Sequence, residues 1–181
     1  MSTKISCKLN STDLNKAIKE LEKYRKQFAK KEKLFLEKIA NIGKGEAEVR
    51  FTSAIYDGIN DVDVQVEPRD NGYVVVARGE AVAFIEFGSG IYYNPSEPYP
   101  NPRPEGIVGI GEYGQGKGAR VNAEGKAIPW VFKGEKGANS KGIVLKNGAI
   151  MTRGNPASMP MWYASEEIRR SILNAVKEVF K

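Results

Sequence analysis

The sequence predicts an α+β fold, with helical segments at both ends of the chain and short strands gathered between them. Three observations predict it. Apolar residues recur at helical spacing from Leu14 to Ile42. Val62, Val64 and Val66 alternate with Asp61, Asp63, Gln65 and Glu67, which marks a strand with one wet face. Ala164, Ile168, Ile172, Ala175, Val176 and Val179 then form a second helical stripe. The 181 residues suit a single domain, 1–181, and 41% apolar content is enough for one core. A mean hydropathy of −0.43 implies polar parts that project from that core.

Residues 10–57 form the first helical region. Asn10–Ser11–Thr12–Asp13 supplies oxygens able to accept from free N–H groups of a first turn. Leu14, Ile18, Leu21 and Phe28 follow on one face. Lys30–Lys31–Glu32–Lys33 has no apolar residue and is the place for a kink, so the region is one long helix or a kinked pair. Spacing resumes at Phe35, Ile39 and Ile42, and a continuous helix reaching Ile55 is expected. Gly43 and Gly45 each cost about 1 kcal/mol inside a helix relative to Ala. They either admit a close neighbour or end the helix. Asp57–Gly58 is the expected stop.

Residues 61–87 hold a hairpin and a hub. Arg69–Asp70–Asn71–Gly72 has hairpin-turn chemistry, and Tyr73–Val74–Val75–Val76–Ala77 is the returning strand. The densest apolar run follows, Ala81–Val82–Ala83–Phe84–Ile85–Glu86–Phe87, and it stops at Gly88–Ser89–Gly90. It reads as a strand or a short helix. A carboxylate inside such a run needs partners, so Glu86 is expected to be a structural group bonded to backbone N–H groups or to an arginine rather than a general base.

Residues 88–149 are read as a long Gly/Pro-rich loop with short strands. Its first part, 88–126, has too many prolines for helix or central strand. Tyr92, Tyr93, Tyr99, Tyr113 and Trp130 give it the aromatic content of an interface. Ala127–Ile128–Pro129–Trp130–Val131–Phe132, Gly142–Ile143–Val144–Leu145 and Ala149–Ile150–Met151–Thr152 read as strands. The last helix, 159–181, opens on Pro160, whose missing N–H costs nothing in a first turn. Glu166 and Glu167 near its start and Lys177 and Lys181 near its end are expected to complement its dipole.

Charge and composition narrow the function classes. The 28 basic residues outnumber the 22 acidic ones, a net +6, which permits an acidic partner or nucleic acid. Lys16, Lys19, Lys23, Arg25 and Lys26 line the outer face of the first helix. Glu20 and Glu22 interrupt that field, so a solvated face is expected and nucleic-acid binding is the alternative. There is no histidine, which removes Ser-His-Asp and Cys-His catalysis and His-ligated zinc. Cys7 is the single cysteine, so no intrachain disulfide forms. Residues 1–10 are polar, and no long apolar run exists, so neither a leader nor a membrane span is expected.

Three weaker patterns have ordinary explanations. Asp61, Asp63 and Glu67 have the donor types of a metal site, but acidic alternation on a wet strand usually serves solubility. Gly109–Ile110–Gly111–Glu112–Tyr113–Gly114 fits GxGxxG. Gly111 to Lys117 fits GxxxxGK, but Gly118 stands where Ser or Thr should hold magnesium. Neither has the strand-before, helix-after context of a phosphate loop. No catalytic residue, metal or cofactor is assigned.

Three segments in order carry a family resemblance: the long charged N-terminal helix, Ala83–Phe84–Ile85–Glu86–Phe87–Gly88–Ser89–Gly90, and Thr152–Arg153–Gly154–Asn155–Pro156–Ala157–Ser158–Met159–Pro160–Met161–Trp162–Tyr163–Ala164 running into the terminal helix. The chain resembles the neck, head–tail joining or tail-completion proteins of long-tailed bacteriophages. Their pattern is an aromatic-flanked VEFG(T/S) segment, then PA-x-PF(M/L)-x-x-A opening the last helix. Ser89 replaces the commoner Thr, and Met161–Trp162 replaces the Phe-containing pair. The resemblance covers roughly residues 10–90 and 150–181. It implies long helices packed on a small antiparallel sheet, and a non-enzymatic ring subunit partnered by copies of itself and by other neck or tail proteins. It implies a virion location after assembly in the host bacterial cytoplasm, with DNA contact only as passage through the ring. On this resemblance Phe84, Glu86, Phe87 and Gly88 hold the fold, and the tyrosine/proline loop meets neighbours.

Overall fold

The computed structural model describes residues 10–88, 120–121, 127–152, 154–155 and 157–181. The fold is α+β: a long N-terminal helix and a C-terminal helix with small antiparallel sheets. Helix α1 runs Ser11–Ser53 without a break at Lys30–Lys33, Gly43 or Gly45. Asn10 is its N-cap, and Asn10 Oδ1 accepts from the Asp13 N–H at 2.8 Å. The helix stops four residues short of the expected Asp57, because the chain turns extended at Ala54. Side chains from elsewhere take up its last carbonyls. Asn60 Nδ2 donates to Phe51 O at 2.6 Å, and Asn139 Nδ2 donates to Thr52 O at 2.8 Å.

Strands β1 (Asp63–Arg69) and β2 (Gly72–Arg78) pair antiparallel through a two-residue turn, Asp70–Asn71. Val64 opposite Ala77 and Val66 opposite Val75 form the inner face, against α1. Asp63, Gln65 and Glu67 opposite Arg78, Val76 and Val74 form the outer one. The segment left open between strand and helix is a short helix, α2 (Val82–Phe87). Asp61 holds its approach: its carboxylate accepts from the N–H groups of Glu80 and Ala81 at 2.7 and 2.9 Å. Those bonds, Ala81 first, lower the Asp61 pKa. Asp61 thus precedes β1 and serves α2 instead of sharing a strand face with Asp63 and Glu67.

Two corrections concern the middle of the chain. A short strand, β3 (Arg120–Val121), falls inside the stretch read as loop; it pairs with β4 (Ala127–Ile128). The strand read over 127–132 is two. Pro129 has no N–H to give a ladder, and the chain changes sheets there, β5 (Trp130–Phe132) joining β6 (Ile143–Val144) and β7 (Ile150–Thr152) in the order β5-β7-β6.

Helix α3 (Pro160–Val179) begins on Pro160 after Met159 in the left-handed region, φ 52°. It packs antiparallel along α1. Arg50 lies 3.6 Å above the Tyr163 ring, Gly43 faces Ile168, Lys38 pairs with Glu178, and Lys31 Nζ donates to Lys181 O at 2.9 Å. Gly43 is where a close approach requires glycine: a Cβ there would lie 2.5 Å from Ile168 Cδ1. Gly45 has nothing within 4 Å of its Cβ position. The core joins Ala47, Phe51 and Ala54 to Val64, Ala81, Ile85 and Ala164. No helix among the described residues is long and apolar enough to cross a membrane.

Candidate functional site: two buried carboxylates

The hub lies where α1, α2 and α3 meet. Ile85 is fully buried in the cluster that also holds Ala47 and Phe51 of α1 and Ala164 of α3. One residue on, Glu86 is only 4% exposed. Its two oxygens accept from the first turn of α3, Oε2 from the Met161 N–H at 2.9 Å and Oε1 from the Trp162 N–H at 3.1 Å. The backbone joins the same two segments, since the Ser158 N–H donates to Ile85 O at 2.9 Å. Glu86 is thus an N-terminal cap supplied from a distant part of the chain, at the positive end of a helix dipole.

Burial raises the Glu86 pKa from its ordinary 4.5 to about 7, outweighing the Met161 and Trp162 N–H bonds that lower it. Glu166 and Glu167 lie too far along α3 to complement the dipole at its start as expected. Pro160 is the first helical residue, so both lie beyond the first turn, which has no acidic residue. The dipole effect fades within a turn, and the carboxylate at the helix start is Glu86.

The other hub residues frame this contact. The Phe84 ring stacks on Tyr56, centroids 6.5 Å apart and 18° from parallel. Phe87 is half-buried. Gly88 is buried and ends α2 at φ 75°, a left-handed conformation that a side chain strains. Of the interface candidates, Tyr92, Tyr93, Tyr99 and Tyr113 lie outside the described residues. So do both glycine patterns, Gly109–Gly114 and Gly111–Lys117. Trp130 opens β5, and its side chain lies outside the described ones.

The second buried carboxylate is Asp57, which the sequence marks only as a helix stop. It is 4% exposed. Asp57 Oδ1 accepts from Ser140 Oγ at 2.8 Å and from the N–H groups of Lys141 and Gly142 at 2.9 and 2.8 Å. Oδ2 accepts from the Thr152 hydroxyl. The Asp57 N–H donates to Asn155 Oδ1 at 2.8 Å, and its carbonyl accepts from the Gly137 N–H at 3.2 Å. One residue therefore ties the end of α1 to the 137–142 segment, to β7 and to the approach to α3. Its partners lie 80 to 98 positions away in sequence, so no local pattern announces them. The available signal is chemical: an Asp next to a core helix end, followed by Gly, Ser and Thr donors in the strand region.

Both carboxylates point into their own chain's donors. A cleft lined by Glu48, Phe51, Tyr56, Asn60, Asp63 and Asn139 receives neither. The acidic residues of β1 are engaged otherwise: Glu67 pairs with Arg69 and Arg78, and Asp63 accepts from Gln65 Nε2 at 2.6 Å. Among the described residues no group of three or more potential protein ligands is placed to hold a metal. The arrangement holds segments of the chain together. Comparison of the chain with protein-family models, curated proteins and solved structures finds no match.

Proposed function

We propose that this chain is a structural virion-assembly protein of a tailed phage or prophage, a non-enzymatic subunit of an oligomeric ring at the head–tail junction or tail end. One observation carries this reading. Two of the three segments that bear the resemblance, Ala83–Gly90 and Thr152–Ala164, lie far apart in sequence and meet in one scaffold contact through Glu86, Met161 and Trp162. The most distinctive residues of the pattern thus support a fold rather than a reaction. Copies of the chain and neighbouring neck or tail proteins are its partners under this proposal, and it works in the host cytoplasm before joining the virion.

The test is co-expression with whatever capsid-connector and tail-tube proteins its own genome encodes, read by native mass spectrometry and negative-stain microscopy. Closed rings of many copies, alone or on a partner, are expected. A strict monomer at high concentration in the presence of both partners would overturn the proposal.

A further inference from the structure

Residues 11–27 of α1 extend about 25 Å beyond the point where α3 ends. The last contacts between the helices are Lys31 with the Lys181 carbonyl, and the Phe180 ring with Phe28 and Phe35, centroids 5.6 and 6.2 Å apart. Along α1 the residues Leu14, Ile18 and Leu21, then Phe28, Phe35, Ile39 and Ile42, fall on steps of four and three or of seven. That is the seam along which one helix receives another. From Phe28 inward α3 meets α1 at Phe28, Lys31, Phe35 and Lys38, which are again steps of three and four. Outward of Phe28, Leu14, Ile18 and Leu21 are 43%, 52% and 54% exposed. Counted outward in the same steps, that line passes Tyr24, which is 49% exposed, then Leu21 and Leu14, so the exposed strip continues an interface that α3 already occupies.

Two properties define what fits there. The strip is interrupted, because Arg25 falls on it between Leu21 and Phe28. The strip is also set in positive charge. Residues 11–27 carry five basic and three acidic side chains, a surplus of two within the chain's net +6. A second copy of the arm would bring the same surplus, whereas an acidic helix would neutralise it.

We propose that the arm is a docking surface for an amphipathic helix of another protein, apolar on one side and acidic along its flanks. This stands whether or not the chain forms a ring.

The full chain is titrated with a synthetic peptide of about three heptads, leucine at the seam and glutamate at the flanks. A lysine-flanked peptide with the same seam, phosphatidylserine/phosphatidylcholine vesicles and duplex DNA are titrated in parallel, and the chain alone is sedimented. The acidic peptide is expected to bind, to weaken with salt, and to lose about tenfold in affinity with Leu21→Ser, the loss of one apolar anchor. Leu21 lies outside the core, so this variant should melt with the parent. Several results would overturn the proposal: equal binding of both peptides, no binding of either, indifference to Leu21→Ser, preference for vesicles or DNA, or self-association that Leu21→Ser abolishes.

Discussion

At its inner end α1 buries Ala40, Gly43, Ala47 and Phe51, while at its outer end Leu14, Ile18, Leu21 and Tyr24 remain 43% to 54% exposed. Apart from Phe51, the larger apolar side chains are the exposed ones. Both ends follow the same helical periodicity, so periodicity alone does not separate them. The difference lies in what the rest of the chain brings to each. The inner end receives α3, the hairpin and α2, and three of its four buried positions are small enough for them to approach closely. The outer end keeps its stripe exposed. A helical stripe therefore specifies which face of a helix can be buried, and tertiary contacts decide how much of it is.

The contrast can be tested most strongly at its two phenylalanines. Phe51 is 2% exposed and Phe28 is 47% exposed. Phe51→Ala should cost about 4 kcal/mol in urea unfolding, from lost burial plus the cavity left behind. Phe28→Ala should cost under about 1 kcal/mol, because the site is half in water and packs mainly on Phe180. Similar costs would mean that the arm is as much a part of the cooperative unit as the core.

Asp57 extends the comparison to the polar groups of the inner end. Asp57→Ala leaves the Ser140 and Thr152 hydroxyls and the Lys141 and Gly142 N–H groups without their acceptor. A loss of about 3 kcal/mol is expected, since a stranded buried donor costs about 1–3 kcal/mol and some will recover water. Amide exchange should rise at Lys141 and Gly142 and stay unchanged along residues 11–27.

Glu86 gives the inner end a pH dependence. Its carboxyl titrates near 7 in the folded chain against an ordinary 4.5. Between those values the folded state holds a proton that the unfolded state has released, so this group favours folding in mild acid. That contribution is complete below about pH 4.5 and is lost as pH rises through 7. The shift corresponds to about 3 kcal/mol over the window. Urea midpoints from pH 4.5 to 8 should therefore fall more steeply in the parent than in Glu86→Gln. The variant should be less stable at every pH, because its amide N–H₂ opposes one of the two α3 donors, and its slope should be flatter. Parallel slopes would remove Glu86 as the titrating group.

The elements and the sites were not equally legible from sequence. The hairpin and α3 could be placed because their signals are local: two-residue alternation, an Asp-Asn turn, Pro at a helix start. Glu86 could be placed because a carboxylate within an apolar run must find donors, although the sequence does not name Met161 and Trp162. Asp57 could not, since its donors are backbone groups and hydroxyls more than eighty residues away. The break at Pro129 was legible in principle, as a residue without an N–H interrupts any ladder. The boundary of α1 was placed late because capping by Asn60 and Asn139 depends on a fold that no window of sequence contains. The aromatic loop residues Tyr92, Tyr93, Tyr99 and Tyr113 lie outside the described residues.

The smallest expected effects come from two glycines two positions apart in α1. Gly45→Ala removes a helix-interior glycine and meets nothing within 4 Å, so it should stabilise by about 1 kcal/mol. Gly43→Ala gains the same propensity but puts a methyl 2.5 Å from Ile168 Cδ1 and 2.8 Å from its Cγ1. Overpacking of that kind costs about 1–3 kcal/mol, so the net effect should be a loss of about 1 kcal/mol. Ile168→Val deletes Cδ1 and should recover part of that loss, which a double-mutant cycle on urea unfolding reads as a favourable coupling between the two sites. If Gly43→Ala stabilised as much as Gly45→Ala and showed no coupling to Ile168, α1 and α3 would not be held at the spacing that sets the inner end of the helix apart from the arm.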